Sequence, residues 1–146
     1  MDSREETKKH INNVATLLRE FSLALKERAE NHDKSKLETP EVEVFDVVTP
    51  KLKGLTYGSP EYKKSLEDMG PALEHHYSNN KHHPEYWKNG IEDMSLVDIV
   101  EMLCDWQAAT LRHDTGDIVK SINHNAQRFN ISEQLKKILL NSCSGN

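Results

Sequence analysis

Cysteine is scarce: the 146 residues hold only Cys104 and Cys143. Two cysteines so far apart exclude a disulfide framework and a zinc knuckle, and they point to a reducing, cytoplasmic setting. Long apolar runs are missing too. None approaches the ~18–20 residues of a membrane span, so no membrane partner is expected. The opening stretch MDSREETKKH lacks the apolar core of a secretory signal, so no leader is expected either. Positive charge is short, with 19 basic against 24 acidic residues and a net charge of −5. That argues against a stable nucleic-acid complex, although a local basic patch survives it. Hydrophobic residues reach 36%, and the six glycines raise the apolar share only to about 40%, under the ~45–50% of an average globular chain. One modest core in a single domain over 1–146 is what this supports. Histidine is what the chain has in surplus. Eight imidazoles outnumber three phenylalanines.

Helix signals are dense and strand signals nearly absent. From Glu5 to Glu30, Ile11, Val14, Leu17, Leu18, Phe21 and Leu25 recur at three- and four-residue steps, which predicts an amphipathic helix ending near Asn31. Thr39-Pro40-Glu41 reads as an N-cap, a proline at the first helical position and an acidic first turn. The short helix that follows, through Phe45 and Val48, is expected to be disturbed by Pro50. A loop is expected over Lys53 to Gly58. Ser59-Pro60-Glu61 opens a helix carrying Tyr62, Leu66, Met69 and Leu73, with a kink or split at Pro71. The polar stretch from Ser78 to Met94 reads as an ordered loop. Ser95 starts the most apolar helix, with Leu96, Ile99, Val100, Leu103, Trp106 and Leu111, and Gly116 punctuates it. Ile118, Ile122, Ala126 and Phe129 mark another helix, and Ser132 caps a last one through Leu135, Ile138 and Leu139. The tail from Ser142 is expected to fray. The fold class is all-α, a bundle of five to seven helices.

Three clusters carry the chemistry. In His32-Asp33-Lys34-Ser35-Lys36, adjacent imidazole and carboxylate suit the same borderline divalent metals, and the second Asp33 oxygen can bridge to another ion. Lys36 places an ammonium beside them, suited to a phosphoryl oxygen. A solvated charged turn would also explain the pair. The second cluster puts His75, His76, His82 and His83 within nine residues. On a helix, His75 and His76 point about 100° apart, so one of them faces inward. Extended geometry before Pro84 would splay His82 and His83 to opposite sides. Third, Asp105 follows an apolar helix face and needs a partner if buried. Glu101, one turn earlier, is a candidate acceptor behind a ligating histidine. His10 falls at the polar–apolar boundary of the first helix. Cys104 reads as a core residue.

Taken in order, His10, His32-Asp33, His75 or His76, His82 or His83, and Asp105 resemble the H…HD…H…H…D pattern of the HD-domain superfamily of metal-dependent phosphohydrolases. His32-Asp33-x-x-Lys36 is similar to the HD-x-x-K of many members. His82-His83-Pro84-Glu85 through Gly90 resembles the HHE…G stretch of the cyclic-dinucleotide phosphodiesterase branch, with an inserted proline and no GYP after Gly90. The chain also resembles a small family found in phages and bacteria that shares the His-Asp-x-Ser-Lys and His-His-Pro-Glu signatures. The resemblance spans about Lys8 to His113.

The resemblance implies an HD-like helical fold holding one or two divalent ions, drawn from Mn, Fe, Co, Ni, Mg and Zn. His10, His32, Asp33 and Asp105 would hold the first. Asp33 would bridge to a second, held by one of His75 and His76 and by one or both of His82 and His83. A metal-bound hydroxide would then attack a phosphate monoester or diester, with Asp33 and Lys36 as catalytic residues. Glu41 and Glu43 would orient a ligand or complete the second metal. Lys36, Lys81, Lys88, Arg112 and His113 are candidates for phosphate, and Tyr77, Tyr86 and Trp87 for a base. The expected partner is a nucleotide, cyclic nucleotide or other small phosphate ester, in the cytoplasm (the host's, for a phage protein), and homo-oligomerisation stays open. The alternatives are a diiron HD-type oxygenase and a non-catalytic, metal-stabilised nucleotide binder of phage origin.

Overall fold

The computed structural model describes residues 2–56, 59–112 and 114–143. His113, Tyr57 and Gly58 of the expected loop, and residues 144–146 of the expected frayed tail lie outside the described residues. Among those described, the protein is all-α, with no strand. Its helices are α1 (Ser3–Asn31), α2 (Glu41–Lys53), α3 (Pro60–Asp68), α4 (Gly70–Asn79), α5 (Leu96–Thr110), α6 (Ile118–Arg128) and α7 (Glu133–Cys143). Short 3-10 turns at Lys34–Leu37, Pro84–Tyr86 and Gly90–Asp93 join them. No described helix is long and apolar enough to cross a membrane.

The chain divides into two units, Met1–His32 and Asp33–Asn146. The first is the single helix α1. The Asp2 carboxylate caps it by accepting from the Arg4 N–H at 3.1 Å, and acidic residues fill its first turn. One helix alone gives its apolar stripe nothing to pack against within its own unit.

The second unit is built on two packed regions. In one, α2 lies against α3 and α4, with Val48, Met69 and Ala72 buried. In the other, α5, α6 and α7 bury Leu103, Ile122, Ala126, Ile131 and Leu139, with Trp106 and Phe129 packed on that cluster. The expected helices α6 and α7 are present, and Ser132 caps α7 by accepting from the Leu135 N–H at 3.2 Å; Asp117, not read from the sequence, caps α6. Ser95 and Asp98 form a reciprocal capping box at the start of α5. Gly116 is needed where it stands, because a Cβ there would lie 1.8 Å from the Thr110 carbonyl oxygen.

Several local expectations need correction. Helix α2 runs through Pro50 to Lys53; packing against α3 and α4 keeps it helical despite the lost backbone bond. Its N-cap is Pro40 rather than Thr39, whose hydroxyl bonds the Glu43 carboxylate instead of a backbone N–H. The kink or split expected at Pro71 does occur, as a full split at Met69 between α3 and α4. The polar stretch after α4 contains two 3-10 turns rather than a plain loop. Leu96 and Leu111 are exposed, and Met102 takes the buried place on α5. Cys104 is exposed, not a core residue.

Candidate metal centre

Asp33 opens the second unit in the left-handed region, at φ 53°, a conformation that aspartate tolerates better than most residues. The chain thereby turns into the 3-10 segment Lys34–Leu37, closed by the Lys36 N–H donating to the Asp33 carbonyl at 2.9 Å. The same turn brings the Lys36 ammonium 2.9 Å from Asp33 Oδ2. Lys36 also lies over the Phe45 ring at 5.6 Å.

The other carboxylate oxygen, Oδ1, meets two imidazoles, and a third ring joins them through His76. His76 Nε2 is 3.4 Å from it and His82 Nε2 3.3 Å. His83 Nε2 is 2.9 Å from His76 Nε2. One ligand atom from each of Asp33, His76, His82 and His83 lies within 4.8 Å of all the others. Donors about 2.1 Å from a single ion stand roughly 3.0–3.4 Å from one another, so the residues fit a divalent metal. Asp105 Oδ2 adds a carboxylate 3.6 Å from His82 Nε2.

Carboxylates stand behind two of these rings. Glu41, fully buried, takes His76 Nδ1 on Oε1 and His75 Nδ1 on Oε2, each at 2.7 Å. Glu101 Oε2 lies 2.8 Å from His82 Nδ1. A ring that gives its Nδ1 proton to a carboxylate presents an unprotonated Nε2, the form that binds metal. Asn80, four residues after His76 on α4, donates to the His76 carbonyl at 2.8 Å and to Ser35 Oγ at 2.9 Å.

Electrostatics keep most of this set neutral or anionic as ligation needs. Burial pushes the Glu41 carboxyl up, but hydrogen bonds from Ser35, His75 and His76 hold it below its ordinary value. Burial, against the Asp33 charge, lowers His76. His83 is pushed down to about 3 by burial and by the charges of His82 and His76. His82 goes the other way. Burial lowers it, yet hydrogen bonds to Asp33 and Glu101 and their charges outweigh burial and raise it.

Of the residues expected from sequence, Asp33, His76, His82, His83 and Asp105 come together, with Lys36, Glu41 and Glu101 around them. His76 is the inward ring of its pair, while His75 turns to Glu41. His82 and His83 do not splay: their ring centroids are 4.2 Å apart, because the His83 N–H closes a turn onto the Asn80 carbonyl. His10 lies on α1, and His32 ends that helix directly before Asp33; both belong to the first unit. Lys81, Lys88 and Arg112 are exposed and outside the donor set, and Glu43 is held by Thr39. Trp87 gives its indole N–H to the Lys81 carbonyl at 2.9 Å, and Tyr86 rests against it. Ser35 and Asn80 were not singled out by sequence; the only signal was the four-residue step from His76 to Asn80.

Comparison with known proteins places the chain in a family. The model described as "Family of unknown function (DUF5662)" matches residues 1–144. No curated protein and no solved structure matches the chain.

Proposed function

The chain belongs to this family, DUF5662, and we propose that it is a metal-dependent phosphohydrolase acting on a small phosphate ester such as a nucleotide or cyclic nucleotide. The observation that carries the reading is the convergence of His76, His82 and His83 Nε2 atoms with Asp33, two of the rings being backed by Glu41 and Glu101. A structural zinc site favours a closed thiolate-containing set, and neither cysteine takes part in this one. The HD-type order of ligands in the sequence supports the same reading.

When bound, a divalent metal supplies a Lewis acid and an acidified water at neutral pH. The chain's own residues do the rest. Glu41 and Glu101 retain the Nδ1 protons and fix the rings with Nε2 toward the centre. Asp33 offers Oδ1 to the centre while Oδ2 tethers Lys36. The Lys36 ammonium thus stands beside the donor set, where it meets negative charge growing on a phosphoryl oxygen. That cation favours phosphate chemistry over the oxygenase alternative.

Elemental analysis of the purified protein, paired with a phosphoester panel in added manganese, cobalt or magnesium, tests the proposal. Bound metal and turnover that both disappear in Asp33→Ala are expected. Metal-free protein after loading, or turnover unchanged in Asp33→Ala, overturns it.

A further inference from the structure

Beside the donor set, α4, α5, α6 and the turn at Pro84–Tyr86 enclose a cavity of about 570 Å³. That volume falls in the ~300–1,000 Å³ range of small-molecule sites. His83 and Asp105, whose side chains are 20% and 30% exposed, both line it. The centre therefore opens into this cavity.

The other walls have a distinct chemistry. Lys120, His124 and Arg128 stand four residues apart on α6 and line the cavity as one row, about 12 Å long. Arg128 holds Glu85 at 3.1 Å, which offsets the one lining acid that does not belong to the donor set. Lys120 adds positive charge. Trp106 and Phe129 give the cavity an apolar wall, their rings stacked within 2° of parallel with centroids 6.3 Å apart, and the Arg128 guanidinium lies 4.6 Å from the Phe129 ring centroid. Cations and an aromatic wall that share a cavity with metal-type donors suit an anion joined to a planar ring.

We propose that this is the ligand cavity of the centre and that it takes a phosphate ester carrying a planar heteroaromatic ring. The phosphate lies between His83, Asp105 and Lys120, and the ring lies against Trp106. The inference rests on the metal-centre reading above and adds the cavity that takes the ligand and the residues of α6 and α5 that select its ring and its anion.

The test is calorimetric binding to metal-loaded full-length protein, using an adenosine monophosphate analogue with methylene in place of the bridging oxygen. The matching ribose phosphonate lacks the ring, and adenosine lacks the anion. A Trp87→Phe background leaves Trp106 as the single tryptophan reporter. The full analogue is expected to bind at least about tenfold more tightly than either fragment and to quench Trp106. Lys120→Glu, on an exposed position, is expected to weaken the analogue about tenfold and leave adenosine unchanged. Equal affinity for the analogue and ribose phosphonate, no Trp106 response, or no effect of Lys120→Glu overturns the cavity assignment. Elemental analysis of the same samples separates the two failures. Loaded metal with indifferent ligand binding sinks the cavity and leaves the proposed function standing, whereas protein that takes up no metal sinks the function itself.

Discussion

Glu101 Oε2 lies 2.8 Å from His82 Nδ1, and both side chains are nearly buried, at 9% and 1% exposure. The two residues stand on different segments, so the contact locks the turn after α4 to α5 while it sets the ring's tautomer. A carboxylate in that position also raises the basicity of the opposite nitrogen. Glu101→Gln keeps the shape but removes the charge. Metal affinity is expected to fall about 10–100-fold, read by competition with a chelator. Unchanged affinity in a folded Glu101→Gln variant refutes the supporting role.

His75 and His76 share Glu41 but only His76 reaches the donor set, so the two positions are expected to respond differently. His76→Ala removes a donor and is expected to lower metal affinity by more than the ~10–100-fold of a supporting residue. His75→Ala removes only a neighbour of Glu41, and its loss stays under about tenfold. Metal titration of both variants checks this; equal losses would contradict the assignment of His76 as the inward ring.

Glu41→Ala tests the buried carboxylate differently, through stability. Its removal strands two imidazole donors, one of them buried, each previously bonded at 2.7 Å. Leaving a buried polar group unpaired costs about 1–3 kcal/mol, so the metal-free variant is expected to unfold at visibly lower urea concentration. A midpoint within error of the parent would show that His75 and His76 find other partners.

How much of this was legible in the sequence depends on whether the deciding interaction was local. The limits of α1 and the caps of α5 and α7 were, because caps and periodicity act within a turn or two. The split near Pro71 was legible for the same reason. That one of His75 and His76 faces inward followed from the 100° step, but which one is decided by contacts distant in the chain: Glu41 bonds both rings, and only His76 also meets Asp33, 43 residues before it. Local geometry misled at His82-His83, where a turn onto Asn80 overrides extended splay. It misled again at Pro50, where packing of α2 holds a helix that local rules would interrupt. The row Lys120, His124 and Arg128 carried no signal, since three polar residues at four-residue steps describe any solvated helix face. Only the fold sets them opposite the donor set.

The raised His82 and the lowered His83 give a pH prediction with a definite sign. His82 gains from Asp33 and Glu101 when protonated, so its folded value exceeds its ordinary 6.5. Its contribution to the metal-free fold is therefore complete below 6.5 and disappears as pH rises through the folded value. Metal needs the neutral ring, so affinity moves in the opposite sense and rises through the same window. His83, at about 3, is already neutral there and adds no slope. Thermal unfolding at fixed metal, run from about pH 6 to about pH 8, is expected to show a growing metal-induced shift while the metal-free Tm declines. A metal-induced shift that is flat across that range rules out His82 as a ligand.

Lys36 separates catalysis from metal retention. Its ammonium is tied to Asp33 Oδ2 at 2.9 Å and rests over Phe45, with 39% of the side chain exposed. Lys36→Met keeps the aliphatic stem over the ring and deletes the charge, so the fold and the donor geometry are expected to hold. Loss of one preorganised charge that meets the transition state typically lowers kcat about 10²–10³-fold. Metal content should stay within about twofold of the parent, because Lys36 contributes no donor and its loss frees the second Asp33 oxygen from a competing cation. A fall in kcat/KM that comes only through KM would place Lys36 in ground-state binding instead. Coupled losses of metal and activity would make it a structural tether of Asp33, and the phosphate-stabilising role would fall with that result.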